Sequence, residues 1–202
     1  MAEPSAGDWI EDLAEALAIA RAAGERTLVI SMSTGGTLSA IAATDAVLSQ
    51  QVAGIVFMSP NFGLNSRAAF ILTWPGVRWW GPIFAGTEQR FQVLNKNHET
   101  FWTTRYPTVA IFPMTALVAY AVELDYSDVR IPALFLYNDH DMVVSPRMIR
   151  RMADRWGGPV TLEAQELPPG SDPYYHVLAG DALSPGMTDR VTTTILEWAE
   201  GI

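Results

Sequence analysis

The chain predicts an α/β fold: a mostly parallel sheet, of which about four strands can be read, with a helical insertion. Three observations carry this. Short apolar runs rich in β-branched residues alternate with helical stretches at both ends of the chain. Residues 61–128 lie between two such runs, too long a stretch for a loop in a compact domain. The chain has 202 residues, 49% hydrophobic and 17% charged, enough to bury one core on a prior of roughly 150 residues per domain.

The elements follow in order. Asp8 with Glu11 reads as a capping box, and Ile10, Leu13, Ala14, Leu17 and Ala20 keep one apolar face until Gly24 stops the first helix. Residues 27–32 (TLVISM) form a strand suited to a parallel sheet covered on both faces. Residues 33–36 break it, 37–49 read as an Ala-rich helix, and 54–58 (GIVFM) as a second strand. Pro75, Gly81, Pro82, Pro107 and Pro113 cut residues 61–128 into short helical pieces. Residues 131–137 are a third strand, 146–156 a helix, 160–167 a more alternating, edge-like strand, and 188–200 the last helix. The expected organisation is a core of 1–60 and 129–202 with an insertion at 61–128.

Thirteen basic against 22 acidic residues leave a charge of -9, with no basic, aromatic-interleaved patch for nucleic acid. Absence of Cys excludes thiol catalysis, disulfides and Cys-bound metal. An acidic start without a basic n-region, and apolar runs short of the roughly 20 residues a membrane helix needs, point to a soluble, cytoplasmic protein without an integral membrane segment.

Three short segments carry chemistry. Ser31-Met32-Ser33-Thr34-Gly35-Gly36 lies between a buried strand and a helix. Attack by a hydroxyl needs such a sharp turn, small neighbours and a free backbone N–H beside the oxygen; a turn that merely joins two elements fits the same residues. Asp139-His140-Asp141-Met142-Val143-Val144 ends the third strand, the sheet edge at which ligands and catalytic groups collect in α/β proteins. One of its two acids caps a turn, and no further ligands support a metal site there. His176 stands in the loop after the fourth strand, whereas His98 lies in the insertion and His140 beside the acids.

On these motifs the sequence resembles the α/β-hydrolase family, whose nucleophile turn is G-x-S-x-G; Ser31 replaces the first Gly, and Ser33 and Gly35 fit. The order Ser33, Asp141, His176 is the order of that family's triad. Its acid precedes a spacer and two Val-like residues, which favours Asp141 over Asp139. Asn61 stands where some members carry the acid after the preceding strand. Among members the chain is most similar to bacterial lysophospholipase-like and monoacylglycerol-lipase-like enzymes with a helical cap.

The resemblance implies a serine carboxylic-ester hydrolase: Ser33 as nucleophile, His176 as base, Asp141 as its orienting acid and the Thr34 N–H in the oxyanion hole, with no cofactor and no metal. Phe62, Trp74, Trp79, Trp80 and Trp102 are the expected lining of an apolar pocket for medium or long acyl or lipid-like esters. The alternative is a catalytically weak or inactive protein that binds an apolar ligand or partner. It is motivated by the 32 residues ahead of Ser33, too few for the strands and second oxyanion donor that full members carry there. Without those strands residues 27–32 form an exposed edge, and a homo-oligomer is expected to cover it.

Overall fold

The computed structural model describes residues 5–66 and 86–202. Its main sheet has four parallel strands in the order β1 (Thr27–Met32), β2 (Val52–Met58), β5 (Ala133–Tyr137) and β6 (Val160–Ala164). A two-stranded antiparallel ribbon, β3 (Glu88–Arg90) with β4 (Arg105–Pro107), stands apart. The helices are α1 (Ala6–Ala23), α2 (Thr34–Ala43), α3 (Lys96–Phe101), α4 (Ile111–Glu123), α5 (Pro146–Arg155) and α6 (Thr188–Glu200).

Successive strand residues point to opposite faces, and the central strands bury both. Ile55 and Phe57 on β2, with Ala133, Phe135 and Tyr137 on β5, face α2 and α5; Val56, Leu134 and Leu136 face α6 through Met187, Val191 and Ile195. The first face is aromatic: Phe57 stacks on Phe135 at 4.6 Å, and Trp156 meets Phe57 edge-on at 5.5 Å and stacks on Tyr126 at 5.5 Å. The Trp156 indole donates to the Ile131 carbonyl at 2.7 Å and the Tyr126 hydroxyl to Ala121 at 2.7 Å, so both polar ends are satisfied. Burial pushes the Tyr126 phenol well above its ordinary range and keeps it a donor. α4 lies against α1 and α2 through Leu117, Ala121, Ile41, Trp9 and Ile10, which fixes residues 111–123 to those two helices.

Several expectations change at this level. The first helix starts earlier, capped by Ser5, whose side chain accepts from the Asp8 N–H at 3.2 Å while the Asp8 carboxylate accepts from the Ser5 N–H; the box is Ser5 with Asp8, not Asp8 with Glu11. α2 starts at Thr34 and ends at Ala43 rather than spanning 37–49, because the Asp45 carboxylate accepts from the Val47 and Leu48 N–H groups and folds that stretch into turns. Among the described residues β1 is an edge strand, as expected, but it is covered on one face rather than both: Val29 packs into the core, while Leu28 is 36% and Ile30 56% exposed.

Candidate active site

The C-terminal ends of β1 and β5 and the loop after β6 build the site. At the end of β1 the chain turns sharply into α2, and Ser33 is held at φ 51, ψ -121, a conformation disfavoured for any residue with a Cβ. Its backbone is pinned on both sides: the Ser33 N–H donates to Met58 at 3.1 Å, and the Ser33 carbonyl accepts from Gly36 at 3.0 Å and Asn61 at 2.9 Å. The tight turn explains the small residues around it. A Cβ on Gly36 would stand 2.7 Å from the Pro60 Cβ, so α2 can approach the end of β2 only with glycine there. Ser31 is accommodated in the position of the family's first glycine because its hydroxyl donates to the Val56 carbonyl at 3.1 Å. The Thr34 N–H opens α2, where backbone donors lack intrahelical acceptors and the helix dipole favours an anion.

Asp141 and His176 come together. His176 Nδ1 lies 2.8 Å from the Asp141 Oδ2 in a pair that is 8% and 0% exposed. The other carboxylate oxygen accepts from Val143 at 2.8 Å and Val144 at 2.9 Å, so the orientation of Asp141 is fixed from behind. Asp139 goes elsewhere and pairs on the surface with Arg150, while His140 rests edge-on against Tyr175. The Asn65 side chain donates to the Asp141 carbonyl at 2.6 Å, and the Met142 N–H donates to Tyr174 at 2.9 Å, which ties the acid loop to the segment after β2 and to the histidine loop.

One residue that sequence reasoning passed over organises the histidine loop. Asp172, buried, accepts from His176 at 3.0 Å and Val177 at 2.8 Å with one oxygen and from Tyr174 at 3.1 Å with the other. Its own N–H donates to the Ser184 hydroxyl at 3.1 Å. Tyr175, with φ 56, closes the turn around that carboxylate, and its N–H donates to the Asp172 carbonyl at 3.0 Å. The signal was an Asp-Pro pair four residues ahead of the histidine, which reads locally as nothing more than a turn.

Ser33, His176 and Asp172 open onto a cavity of about 570 Å³ with mainly apolar walls from Met32, Leu64, Tyr106, Ile111, Met114 and Leu183. An adjoining cavity of about 430 Å³ reaches Thr34 and Phe101 and shares Trp102, Tyr106 and Met114 with it. A third, of about 270 Å³, is lined by Phe62, Val118 and Met148 and meets the first at Asn61, Leu64 and Met114. Trp102 therefore faces the main cavity, whereas Phe62 packs edge-on to Phe57 in the core and reaches only the side chamber. Trp74, Trp79 and Trp80 lie outside the described residues. Among the described residues no group of His, Asp and Glu is placed to hold a metal ion, and no helix is long and apolar enough to cross a membrane.

A strained serine between strand and helix, with a carboxylate–imidazole pair on the neighbouring loops, is the arrangement of the α/β hydrolases. The sequence profile of the family described as serine aminopeptidase, S33, matches residues 1–166, and the chain belongs to that family. The same fold recurs in a metagenome-derived lipolytic enzyme from the work on LipS and LipT, at a TM-score of 0.75 and 21% identity over 100% of this chain and 76% of that one. It recurs in the monoacylglycerol lipase of Paleococcus ferrophilus (TM-score 0.65, 16% identity, 97% of this chain and 75% of that one). A soluble variant of the Saccharomyces cerevisiae monoglyceride lipase, solved with a substrate analog, superposes at 0.64 with 13% identity over 96% of this chain and 68% of that one. At these identities the likeness is one of fold. No curated protein sequence matches the chain.

Proposed function

We propose that the protein hydrolyses carboxylic esters with an apolar, medium or long acyl group. Ser33 attacks the ester carbonyl, His176 takes the hydroxyl proton and passes it to the leaving alcohol, and Asp141 holds the imidazole with Nδ1 protonated. The Thr34 N–H receives the negative charge that develops on the carbonyl oxygen. Water then attacks the acyl enzyme, with His176 again as base. The observation that carries this reading is the 2.8 Å pair of buried Asp141 with His176, whose ring opens with Ser33 onto one mainly apolar cavity. In this reading residues 61–128 are the cap, whose described part contributes Leu64, Trp102, Tyr106, Ile111 and Met114 to the cavity wall. The lipolytic and monoacylglycerol-cleaving relatives of like fold support an ester substrate.

The cavity volume makes chain length the natural test. Across para-nitrophenyl esters of increasing acyl length, kcat/KM is expected to rise about threefold or more per two added methylenes, by a fraction of the ~0.8 kcal/mol per buried CH₂, until the cavity is filled. A profile that falls from acetate upward contradicts the apolar-acyl assignment.

The same reading includes a second copy at the open edge of the sheet. β1 pairs only with β2 among the described strands, and Leu28 and Ile30 leave apolar surface beside its free edge. Two β1 strands running antiparallel across a two-fold axis would continue the sheet and cover both side chains. Light scattering at micromolar concentration is expected to give twice the 22.1 kDa of one chain, and Ile30→Lys to return it to that mass. A monodisperse monomer of the unaltered protein contradicts the pairing.

A further inference from the structure

His98 belongs to no part of the proposed reaction, yet it is the buried residue of α3 and is only 5% exposed. Its position is set with care. Asn95 begins the helix, accepting from the His98 N–H at 2.8 Å, and its side-chain amide donates to the Ala182 carbonyl at 2.8 Å. Asn97 donates to the Asp181 carbonyl at 3.2 Å. These two bonds fasten α3 to the loop that follows His176, so the wall carrying His98 and the loop carrying the base are held together.

The ring itself is constrained. It meets Trp102 edge-on at 5.9 Å, and Nδ1 accepts from the Leu94 N–H at 3.3 Å. A ring nitrogen that accepts a hydrogen bond carries no proton, so in the neutral imidazole the proton is on Nε2. Nε2 has no hydrogen-bond partner among the described residues, and it is not among the buried nitrogen and oxygen atoms sealed off without one. His98 lines the same cavity as Ser33 and His176, as do the apolar side chains of Leu94, Tyr106 and Met114. Packing against Trp102 needs no donor, whereas the Nε2–H is left without a protein acceptor among the described residues in a residue that lines the cavity. Pockets of this kind use a few placed polar groups to fix the orientation of an otherwise apolar ligand.

We propose that His98 is a specificity-determining residue whose Nε2–H donates to a substrate oxygen other than the ester carbonyl, such as a free hydroxyl. The preferred esters then carry a second oxygen function, on either the alcohol or the acyl portion, in addition to an apolar chain. This inference rests on the hydrolase reading above.

Two substrate pairs and two variants test it. Glycerol monodecanoate against ethyl decanoate differs in alcohol-borne hydroxyls, and para-nitrophenyl ω-hydroxydecanoate against para-nitrophenyl decanoate differs in an acyl-borne one. The unaltered protein is expected to favour the hydroxylated member of one pair, and that pair tells which portion carries the recognised oxygen. His98→Phe keeps the ring against Trp102 and removes the donor; it is expected to raise KM for that member about five- to tenfold more than for the plain ester, the worth of one neutral hydrogen bond. His98→Gln restores a donor and is expected to recover most of the preference. Equal loss on both members of each pair, or no change on any, overturns the assignment while leaving the hydrolase reading in place. Failure of the unaltered protein to turn over any of the four esters contradicts the hydrolase reading and overturns this one with it.

Discussion

Ser33→Ala is expected to lower kcat for ester hydrolysis by about 10⁴- to 10⁶-fold, the loss seen when the nucleophile of a serine triad is removed, while leaving the fold intact. The structure gives a reason for the second half of that expectation. The Ser33 side chain makes no capping bond to α2, and the turn is held through backbone groups to Met58, Gly36 and Asn61. Alanine has the same Cβ and the same strain at φ 51, so the thermal midpoint is expected to stay within about 3 °C. Activity that survives this substitution contradicts Ser33 as nucleophile.

Asp141→Asn is expected to cost about 10⁴ in kcat, against less than about twofold for Asp139→Asn. The difference follows from where each carboxylate's partners lie. One oxygen of Asp141 accepts from the Val143 and Val144 N–H groups, so an asparagine must keep its carbonyl there and turn its amide N–H₂ toward His176 Nδ1. Nδ1 then becomes the acceptor, the ring proton moves to Nε2, and the imidazole can no longer take a proton from Ser33. Asp139 loses only a solvent-exposed pairing with Arg150. Steady-state kinetics on one ester measures both; comparable losses contradict the assignment of Asp141 as the orienting acid.

Much of this site was legible in the sequence because its parts are local. β1 is a short run centred on Leu28, Val29 and Ile30, with β-branched residues at Thr27, Val29 and Ile30, and the small residues after it mark the turn. Asp141 could be separated from Asp139 by the two valines behind it, whose N–H groups prove to be what anchors its carboxylate. Other features were not local. The start of α2 at Thr34 was hidden by Gly35 and Gly36, poor helix formers, of which Gly36 is required because Pro60 leaves no room for a larger residue there. Asp172 acts through a loop that folds back on its own carboxylate, and His98 reaches the cavity only because Asn95 and Asn97 dock a six-residue helix on a loop more than eighty positions away. A sequence has no periodicity that announces such contacts.

β1 illustrates a different point. Its sequence alternates no polar residues, so it reads as covered on both sides, yet one face and one edge lie open among the described residues. Hydrophobic pattern reports what a strand needs to have covered. The cover itself is a separate matter, and it bears on the proposed reaction because β1 ends at Ser33 and sets the position of the turn that strains it.

The central claim is that Ser33, His176 and Asp141 are assembled into a working nucleophile by this chain. The most direct measurement is reaction of the purified folded protein with a serine-directed fluorophosphonate, followed by peptide mass spectrometry, beside a sample unfolded in denaturant. The account predicts a single adduct on Ser33 in the folded sample, its loss in Asp141→Asn, and none in the unfolded one. Absence of an adduct on Ser33 in the folded protein, or equal labelling of folded and unfolded samples, contradicts it and favours a protein that binds an apolar ligand without turning it over.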